Sequence, residues 1–314
     1  MGNYLDDVSR RNGIRAEREK EKKLDDFRKK LTNGPDMTID NSVVIFTSLS
    51  ASDGLRQHYE KRKMKAGDCA PDWIKSLAEK MAGFTSAPVL AGLGALAVAV
   101  YIDIISFSPP EESMKNALRS VFADEKASEV WDQIDECLKR CVMHLCDINK
   151  LKGDIERIEY LLSAALTKLK NSMVRDGHMS SSALKAWVNG AAFHIQMLIH
   201  LVRLGGIRTC NPVETLLSTY QSDLEKLLTE HKKMVWAKCK YKDIYIYLEI
   251  RLRFLVDEDS VRHDVEENIP VEKYFEVYYD RRYGRQKVEI QLYFRDVSQN
   301  LQKLVDQRGS FNVQ

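Results

Sequence analysis

The sequence predicts an α+β fold that is predominantly helical, and three observations lead to that class. Within Ala87–Phe107 a single side chain, Asp103, is charged. Apolar side chains then recur every seventh residue through residues 134–173, which is typical of long packed helices. Apolar and polar residues alternate strictly over Ile244–Phe254, which indicates a strand. The sequence therefore predicts a long antiparallel helical bundle with a very apolar central helix and a C-terminal three-stranded antiparallel β-meander.

Residues 1–35 alternate acidic and basic side chains and contain few apolar ones. They predict a charged N-terminal helix or a disordered arm. Residues 36–82 are predicted to hold a short strand and then basic and amphipathic helices. The strand is placed at the β-branched run Ser42–Thr47.

A basic cluster lies in the second of these regions, ahead of the apolar stretch. Its members are Arg56, Lys61, Arg62, Lys63 and Lys65. Basic residues in that position are candidates for contact with anionic lipid headgroups. The alternative is an ordinary solvated face of a helix.

Residues 83–108 are predicted to form an apolar helix and a candidate membrane segment. The stretch is long enough to cross a bilayer, which takes ~20 apolar residues. Small residues at every fourth position form a ridge that lets another helix approach closely. The candidate membrane-contact and helix-packing residues are Ala87, Ala91, Gly92, Leu93, Gly94, Ala95, Ala99, Val100 and Ile104. The alternative is a helix buried in a core of protein.

Residues 111–240 are predicted to form the long-helix bundle. The seven-residue spacing predicts one helix of ~45 residues, roughly 65–70 Å long, a length typical of coiled coils and extended bundles. Gly153 is a candidate site for a bend in this helix. Ser180–Ser182 and Asn211-Pro212 then predict the starts of two further helices.

Residues 241–314 are predicted to form the sheet with a closing helix. After the strand at 244–254 comes a polar acidic loop, and further strands are placed at 273–279 and 288–294, with a hairpin turn between them. Three strands with one apolar face must cover that face. We expect the preceding helices to do so.

Residues that could carry chemistry are scarce. Cys137, Cys141 and His144 share one helix face and are residue types that bind zinc, but they also lie in the apolar stripe, which favours core packing. His194 and His200 are placed away from the apolar stripe of their helix. No catalytic residue, no metal ligand and no cofactor is predicted, so the chain is not expected to be an enzyme.

Net charge, motifs and cysteine spacing limit the classes of partner and the cellular compartment that we expect for this chain. The net charge of +2 argues against nucleic acid, and no phosphate loop or similar motif points to a small-molecule substrate. The cysteine spacing and the lack of a signal-peptide pattern predict an intracellular protein.

In its order of basic helix, apolar element and long amphipathic helices, the chain resembles α-helical pore-forming proteins, which hide an apolar segment in a bundle and expose it on membrane insertion.

Two functions follow from this sequence. The first is a non-enzymatic, membrane-associated helical protein whose helix 87–107 spans or inserts into a lipid bilayer, in the manner of an oligomeric pore former. The alternative is a soluble cytoplasmic helical-bundle protein that serves as an interaction module or scaffold, with 87–107 as a buried core helix. Protein partners, or self-association through helices, are expected in either case.

Overall fold

The computed structural model describes residues 2–65, 72, 76–77, 79, 81, 88–106, 112–246, 250–309 and 311. Side chains are described for these residues except 2–12, 88, 246 and 250. Ala87 and Phe107, which bound the predicted apolar helix, lie outside the described residues. Most of the amphipathic helix predicted before residue 82 lies outside them as well.

The described chain is mostly helical and carries a small three-stranded antiparallel sheet near the C-terminus. The helices are α1 (Gly2–Lys30), α2 (Asn41–Phe46), α3 (Ala51–Lys65), α4 (Leu93–Ile105), α5 (Met114–Val121), α6 (Ser128–Met143), α7 (Ile148–Val174), α8 (Ser181–Arg203), α9 (Asn211–Lys238), α10 (Val271–Tyr279), α11 (Arg285–Gln299) and α12 (Leu301–Asp306). The strands are β1 (Lys240–Ile246), β2 (Ile250–Val256) and β3 (Arg262–Asp264), in the order β1-β2-β3.

Two compact units make up the chain. Unit 1 comprises Met1–Pro35 and Leu228–Val288, and unit 2 comprises Asp36–Leu227 and Glu289–Gln314. Unit 1 therefore contains α1, the sheet and α10, whereas unit 2 contains the helices α2 to α8.

The apolar helix α4 is an element of the core of unit 2. It packs against α3, α6 and α8, and ten of its 13 residues are buried. Its first turn depends on glycine, because Gly92 has a φ of +57° and a Cβ on Gly94 would lie 1.3 Å from the Val89 carbonyl oxygen. The short helix Pro88–Leu90 precedes this turn, so the helical run is interrupted before Leu93.

The length of α4 bears on the predicted membrane span. Thirteen residues rise about 20 Å, less than the ~30 Å of a hydrocarbon core. Among the residues that the structure describes, no helix has both the length and the apolar composition needed to cross a bilayer. The prediction of a transmembrane helix is therefore not supported, and the burial of α4 favours a core helix.

The predicted helix of ~45 residues is two antiparallel helices, α6 and α7. The break falls between His144 and Asp147, whose carboxylate caps α7 by accepting a hydrogen bond from the Lys150 N–H. Lys168 near the end of α7 pairs with Glu129 at the start of α6 at 2.7 Å, which establishes the antiparallel arrangement. Gly153 does not bend the chain, because α7 continues through it.

Helix α8 is the most completely buried helix of unit 2. It starts as predicted, with the Ser180 hydroxyl accepting a hydrogen bond from the Ala183 N–H. All of residues 186–201 are buried, including His194 and His200. These histidines were predicted to lie away from the apolar stripe, where contact with a partner or with solvent is the default. The prediction of contact with solvent is wrong, because residues 186–201 are buried on every side of the helix.

The sheet of unit 1 uses different residues from those predicted. The predicted strand 244–254 is a hairpin, in which Ile246 pairs with Ile250 and Lys240 with Val256. Strand β3 comes from the predicted acidic loop. The predicted strands at 273–279 and 288–294 are helices, joined through a π-helix at Asp280–Gly284.

The strand predicted at Ser42–Thr47 is also a helix, α2. The Asp40 carboxylate caps its start by accepting a hydrogen bond from the Ser42 N–H. Val43 and Phe46, three residues apart, are both buried, as a helical period requires. The cap and this spacing outweigh the strand preference of the β-branched residues.

Candidate functional site

The candidate functional site is a groove in unit 2 between α2 and the chain from Glu289 to Leu304. Two cavities of ≈ 500 and ≈ 320 Å³ form it, and both are lined by Val44, Tyr293 and Asp296. Because they share these three residues, we treat them as one continuous groove.

Helical periodicity explains how each wall forms. On α11, Ile290, Phe294 and Val297 recur at helical spacing and are buried. Leu292, Tyr293 and Asp296 lie on the adjoining face and line the groove. On the opposite wall α2 buries Val43 and Phe46, which leaves Val44 turned to the groove.

Apolar side chains line this groove and remain accessible to solvent. The exposed fractions of Val44, Leu49 and Leu292 are 36%, 46% and 41%. Large exposed apolar patches with polar neighbours often mark interaction sites. Asp296 lines both cavities and contributes a negative charge to the part of the groove that they share.

Tyr293 links the two walls to the buried helix α8. Its hydroxyl oxygen lies 3.4 Å from the Thr47 hydroxyl, and its other polar neighbour is Gln196. Burial raises the pKa of Tyr293, and the interactions with Thr47 and Gln196 offset this only in part. The Gln196 amide makes no hydrogen bond of ordinary geometry to a described residue, so its contact with the hydroxyl is weak. The Tyr293 hydroxyl therefore stays neutral, and Tyr293 contributes a polar group to the wall of a mainly apolar groove.

The residues proposed for membrane contact lie elsewhere. Ala91, Gly92, Leu93, Gly94, Ala95, Ala99 and Val100 are all buried in unit 2. Ile104, by contrast, is 59% exposed near the end of α4. None of these residues lines the groove.

The basic cluster is divided between core and surface. Arg62 is buried and pairs with Asp103 at 2.8 Å and with Glu112 at 3.3 Å. Lys65 pairs with the same Glu112 carboxylate at 2.6 Å. Arg56 and Lys61 are exposed, and Lys63 is half-buried. Arg62 thus stabilises unit 2 through these buried ion pairs, and its position does not allow contact with a lipid headgroup.

The Cys137, Cys141 and His144 group contributes to packing. Both cysteines are fully buried, while His144 ends α6 and lies 3.4 Å from Asp154. Hydrogen bonding to Cys141, together with burial, raises the pKa of Cys137 well above its usual value, so its thiol stays protonated. Among the described residues no group of His, Cys, Asp and Glu side chains is arranged to hold a metal ion.

Glu159, His194 and Tyr220 form a hydrogen-bonded chain across α7, α8 and α9. His194 Nε2 lies 2.8 Å from Glu159, and its Nδ1 lies 2.6 Å from the Tyr220 hydroxyl. Burial raises the pKa of Tyr220, and the nearby Glu159 carboxylate adds to the effect. A carboxylate–imidazole pair suits proton transfer, but His194 is only 1% exposed, so a substrate could not reach it. No pattern in the sequence indicates these contacts, because Glu159, His194 and Tyr220 come from three different helices.

No family model, no curated protein and no solved structure compared with this chain matches it. Its function is therefore inferred from the geometry and chemistry of its own residues. Among the described residues, the groove beside α11 is an apolar feature that is accessible to a partner.

Proposed function

We propose that this chain is a non-enzymatic interaction protein, in which 87–107 provides a buried core helix and the groove binds an apolar helix of a partner protein. The observation that carries the proposal is the open apolar groove with Asp296 lining both of its cavities. Partner binding would bury Val44, Leu49 and Leu292, whose exposed area is costly in water.

The size of the groove suits a short helix. Its lining residues on α11 run from Glu289 to Val297, a distance of about 12 Å at 1.5 Å per residue. That length matches about two turns of a partner helix lying along α11. Helix-in-groove binding of this kind uses apolar anchors spaced three or four residues apart.

Charge complementarity specifies one further property of the partner. Asp296 lines both cavities, so a bound helix that fills both would cover it. A buried carboxylate needs a partner of opposite charge. We therefore expect a lysine or arginine between two apolar anchors, each anchor filling one cavity.

A displayed library of helical peptides tests this proposal. Peptides selected on the full chain are measured by fluorescence anisotropy against wild type, Leu292→Glu and Asp296→Arg. We expect each groove variant to weaken binding by about tenfold or more, as for the loss of a central contact. Leu161→Glu is the matched control, because Leu161 is 43% exposed on α7, outside the groove.

Two results would contradict the proposal. Selected peptides that bind Leu292→Glu as tightly as wild type would place their site elsewhere. Selected peptides without a basic residue, and indifferent to Asp296→Arg, would remove the role given to that carboxylate. Sedimentation equilibrium of wild type and Leu292→Glu adds one distinction: self-association lost in the variant identifies the bound helix as part of a second copy.

A further inference from the structure

An open cavity of ≈ 270 Å³ lies in unit 1, between the C-terminal part of α9 and the start of α10. Aromatic and charged side chains line it, namely Lys232, Lys233 and Trp236 of α9 and Glu272, Phe275 and Glu276 of α10. Among the described residues, none lines both this cavity and the groove of unit 2. The cavity is therefore a separate candidate binding site.

Trp236 and Phe275 form the aromatic part of this cavity. The Phe275 ring is buried and packs edge-on against the Trp236 indole, with 4.5 Å between the ring centres. Trp236 is nevertheless 39% exposed, whereas Trp131 and Trp187 are buried. Because the contact with Phe275 restricts the indole, Trp236 offers an ordered aromatic surface to a ligand.

The two lysines of the lining already have carboxylate partners. Lys232 Nζ lies 2.6 and 2.8 Å from the two carboxylate oxygens of Glu276, and Lys233 Nζ lies 2.8 Å from Glu230. Glu272 is exposed in the first turn of α10. Over the part of the chain that the structure describes, its carboxylate has neither a hydrogen bond nor an ion pair. The charge that remains uncompensated in this cavity is therefore negative.

We propose that this cavity binds the guanidinium group of an arginine side chain that a partner protein presents. A guanidinium stacks on the face of a tryptophan and donates a forked pair of hydrogen bonds to a carboxylate. The cavity supplies one group of each kind, Trp236 and Glu272. Its volume lies below the ~300–1,000 Å³ of sites for drug-sized ligands, so it suits a single side chain whose backbone stays outside.

Other side chains use these two groups less completely. A lysine ammonium is more strongly hydrated than a guanidinium and lacks its planar fork, so it gains less from Trp236. An aromatic side chain would stack on Trp236 but would leave the Glu272 carboxylate without a counter-charge. Arginine also packs the aliphatic part of its side chain on an apolar surface, which the indole provides.

Titration of the full chain with capped peptides tests the proposal. The signal of the Trp236 indole N–H in a ¹H–¹⁵N spectrum, identified by its loss in Trp236→Leu, should shift when acetyl-Gly-Arg-Gly-amide is added. The signals of the buried Trp131 and Trp187 should not shift. Concentrations up to about 20 mM are needed, because a contact with one side chain supports only millimolar affinity. The same peptide with citrulline, which keeps the shape and loses the charge, should bind about tenfold more weakly, and the lysine peptide about threefold.

Substitution of Glu272 tests the charge without dependence on packing, because this side chain is exposed. Glu272→Gln should weaken binding of the arginine peptide by about tenfold. Glu21→Gln is the matched control, since it removes the same charge at an exposed position of α1 outside the cavity, and it should bind as wild type.

Four results would overturn the proposal. An unshifted Trp236 signal at the highest peptide concentration would exclude the site. Equal affinities of the arginine and citrulline peptides, or equal losses in Glu272→Gln and Glu21→Gln, would remove the role of the Glu272 carboxylate. A lysine peptide that binds as tightly as the arginine peptide would contradict recognition of a guanidinium. Free L-arginine that binds more tightly than the capped peptide would assign the cavity to a small molecule and not to a partner protein.

Discussion

The Nε of Arg62 lies 2.8 Å from the Oδ1 of Asp103, and this contact joins α3 to the charged residue of the apolar helix α4. It is an ion pair without the N–H geometry of a hydrogen bond. His58 Nε2 at 2.9 Å and the Met114 N–H at 2.6 Å complete the surroundings of the carboxylate. Burial opposes ionisation, but these hydrogen bonds and the Arg62 charge outweigh it and lower the pKa of Asp103. The charge that interrupts the apolar stretch is therefore a link between helices.

Removal of one member of this pair should destabilise unit 2 strongly. Asp103→Leu leaves the buried Arg62 charge with only the half-exposed Glu112 as an ionic partner, and removing one member of a buried pair costs about 3–5 kcal/mol. The double variant Arg62→Met/Asp103→Leu should recover part of that loss, since neither charge remains. Urea unfolding of wild type, Arg62→Met, Asp103→Leu and the double variant measures the coupling free energy between the two residues. Equal stabilities of Asp103→Leu and wild type would exclude the linking role, and exposed Lys61→Ala, expected within about 0.5 kcal/mol, is the control.

His200 should make the protein less stable in acid. It is fully buried, neither ring nitrogen has a hydrogen-bond partner among the described residues, and burial, with the Arg203 charge, lowers its pKa to about 3. Because the folded pKa lies below the unfolded value of about 6.5, the contribution is complete above pH 6.5 and is lost as pH falls toward 3. At pH 5 the loss is about 2 kcal/mol.

The variant His200→Leu isolates this effect. His231, whose pKa burial lowers to about 4, also titrates in this range, so wild type alone cannot assign the slope. The unfolding free energy of each protein is measured at pH 7.5 and at pH 5. We expect it to fall less between these two pH values for His200→Leu than for wild type. Identical losses in the two proteins would show that His200 does not carry the effect.

Two glycines should respond in opposite directions to the same substitution. Gly94→Ala places a Cβ 1.3 Å from the Val89 carbonyl oxygen, so the backbone before α4 must move, at a cost of about 3 kcal/mol or more. Gly153→Ala meets nothing within 4 Å in the interior of α7 and should stabilise by about 0.5–1 kcal/mol. Thermal melting of both variants checks this. A Gly94→Ala protein that melts like wild type would contradict the close approach.

Structural features that depend on a few adjacent residues, such as the starts of helices, could be predicted from the sequence. The Ser180 cap and the Asn211 start appear where predicted, because caps and turns depend on a few adjacent residues. The break at Asp147 was missed, since the seven-residue apolar spacing continues across it. The period-two pattern likewise continues from β1 into β2, so it concealed the hairpin.

Features made of distant residues could not be read from the sequence. Residues 273–279 alternate like a strand, yet Tyr274, Phe275, Tyr278 and Tyr279 also form one buried helical face, and packing selects the helix. The groove brings Val44 beside Tyr293 and Asp296, which are about 250 positions later in the chain. No local pattern indicates such a pair.

Two lysine substitutions within α4 test whether it is a core helix. Leu93 is fully buried, whereas Ile104 is 59% exposed on the same helix. Leu93→Lys should unfold the protein in plain buffer, because it removes a buried side chain and adds a buried charge, which together exceed about 5 kcal/mol, comparable to the stability of a domain. Ile104→Lys should retain the melting transition of wild type to within about 1 kcal/mol. Circular dichroism melting without lipid compares the three proteins. If Leu93→Lys kept its transition, Leu93 would not be packed in protein, and a helix that meets lipid would again be the better account of residues 87–107.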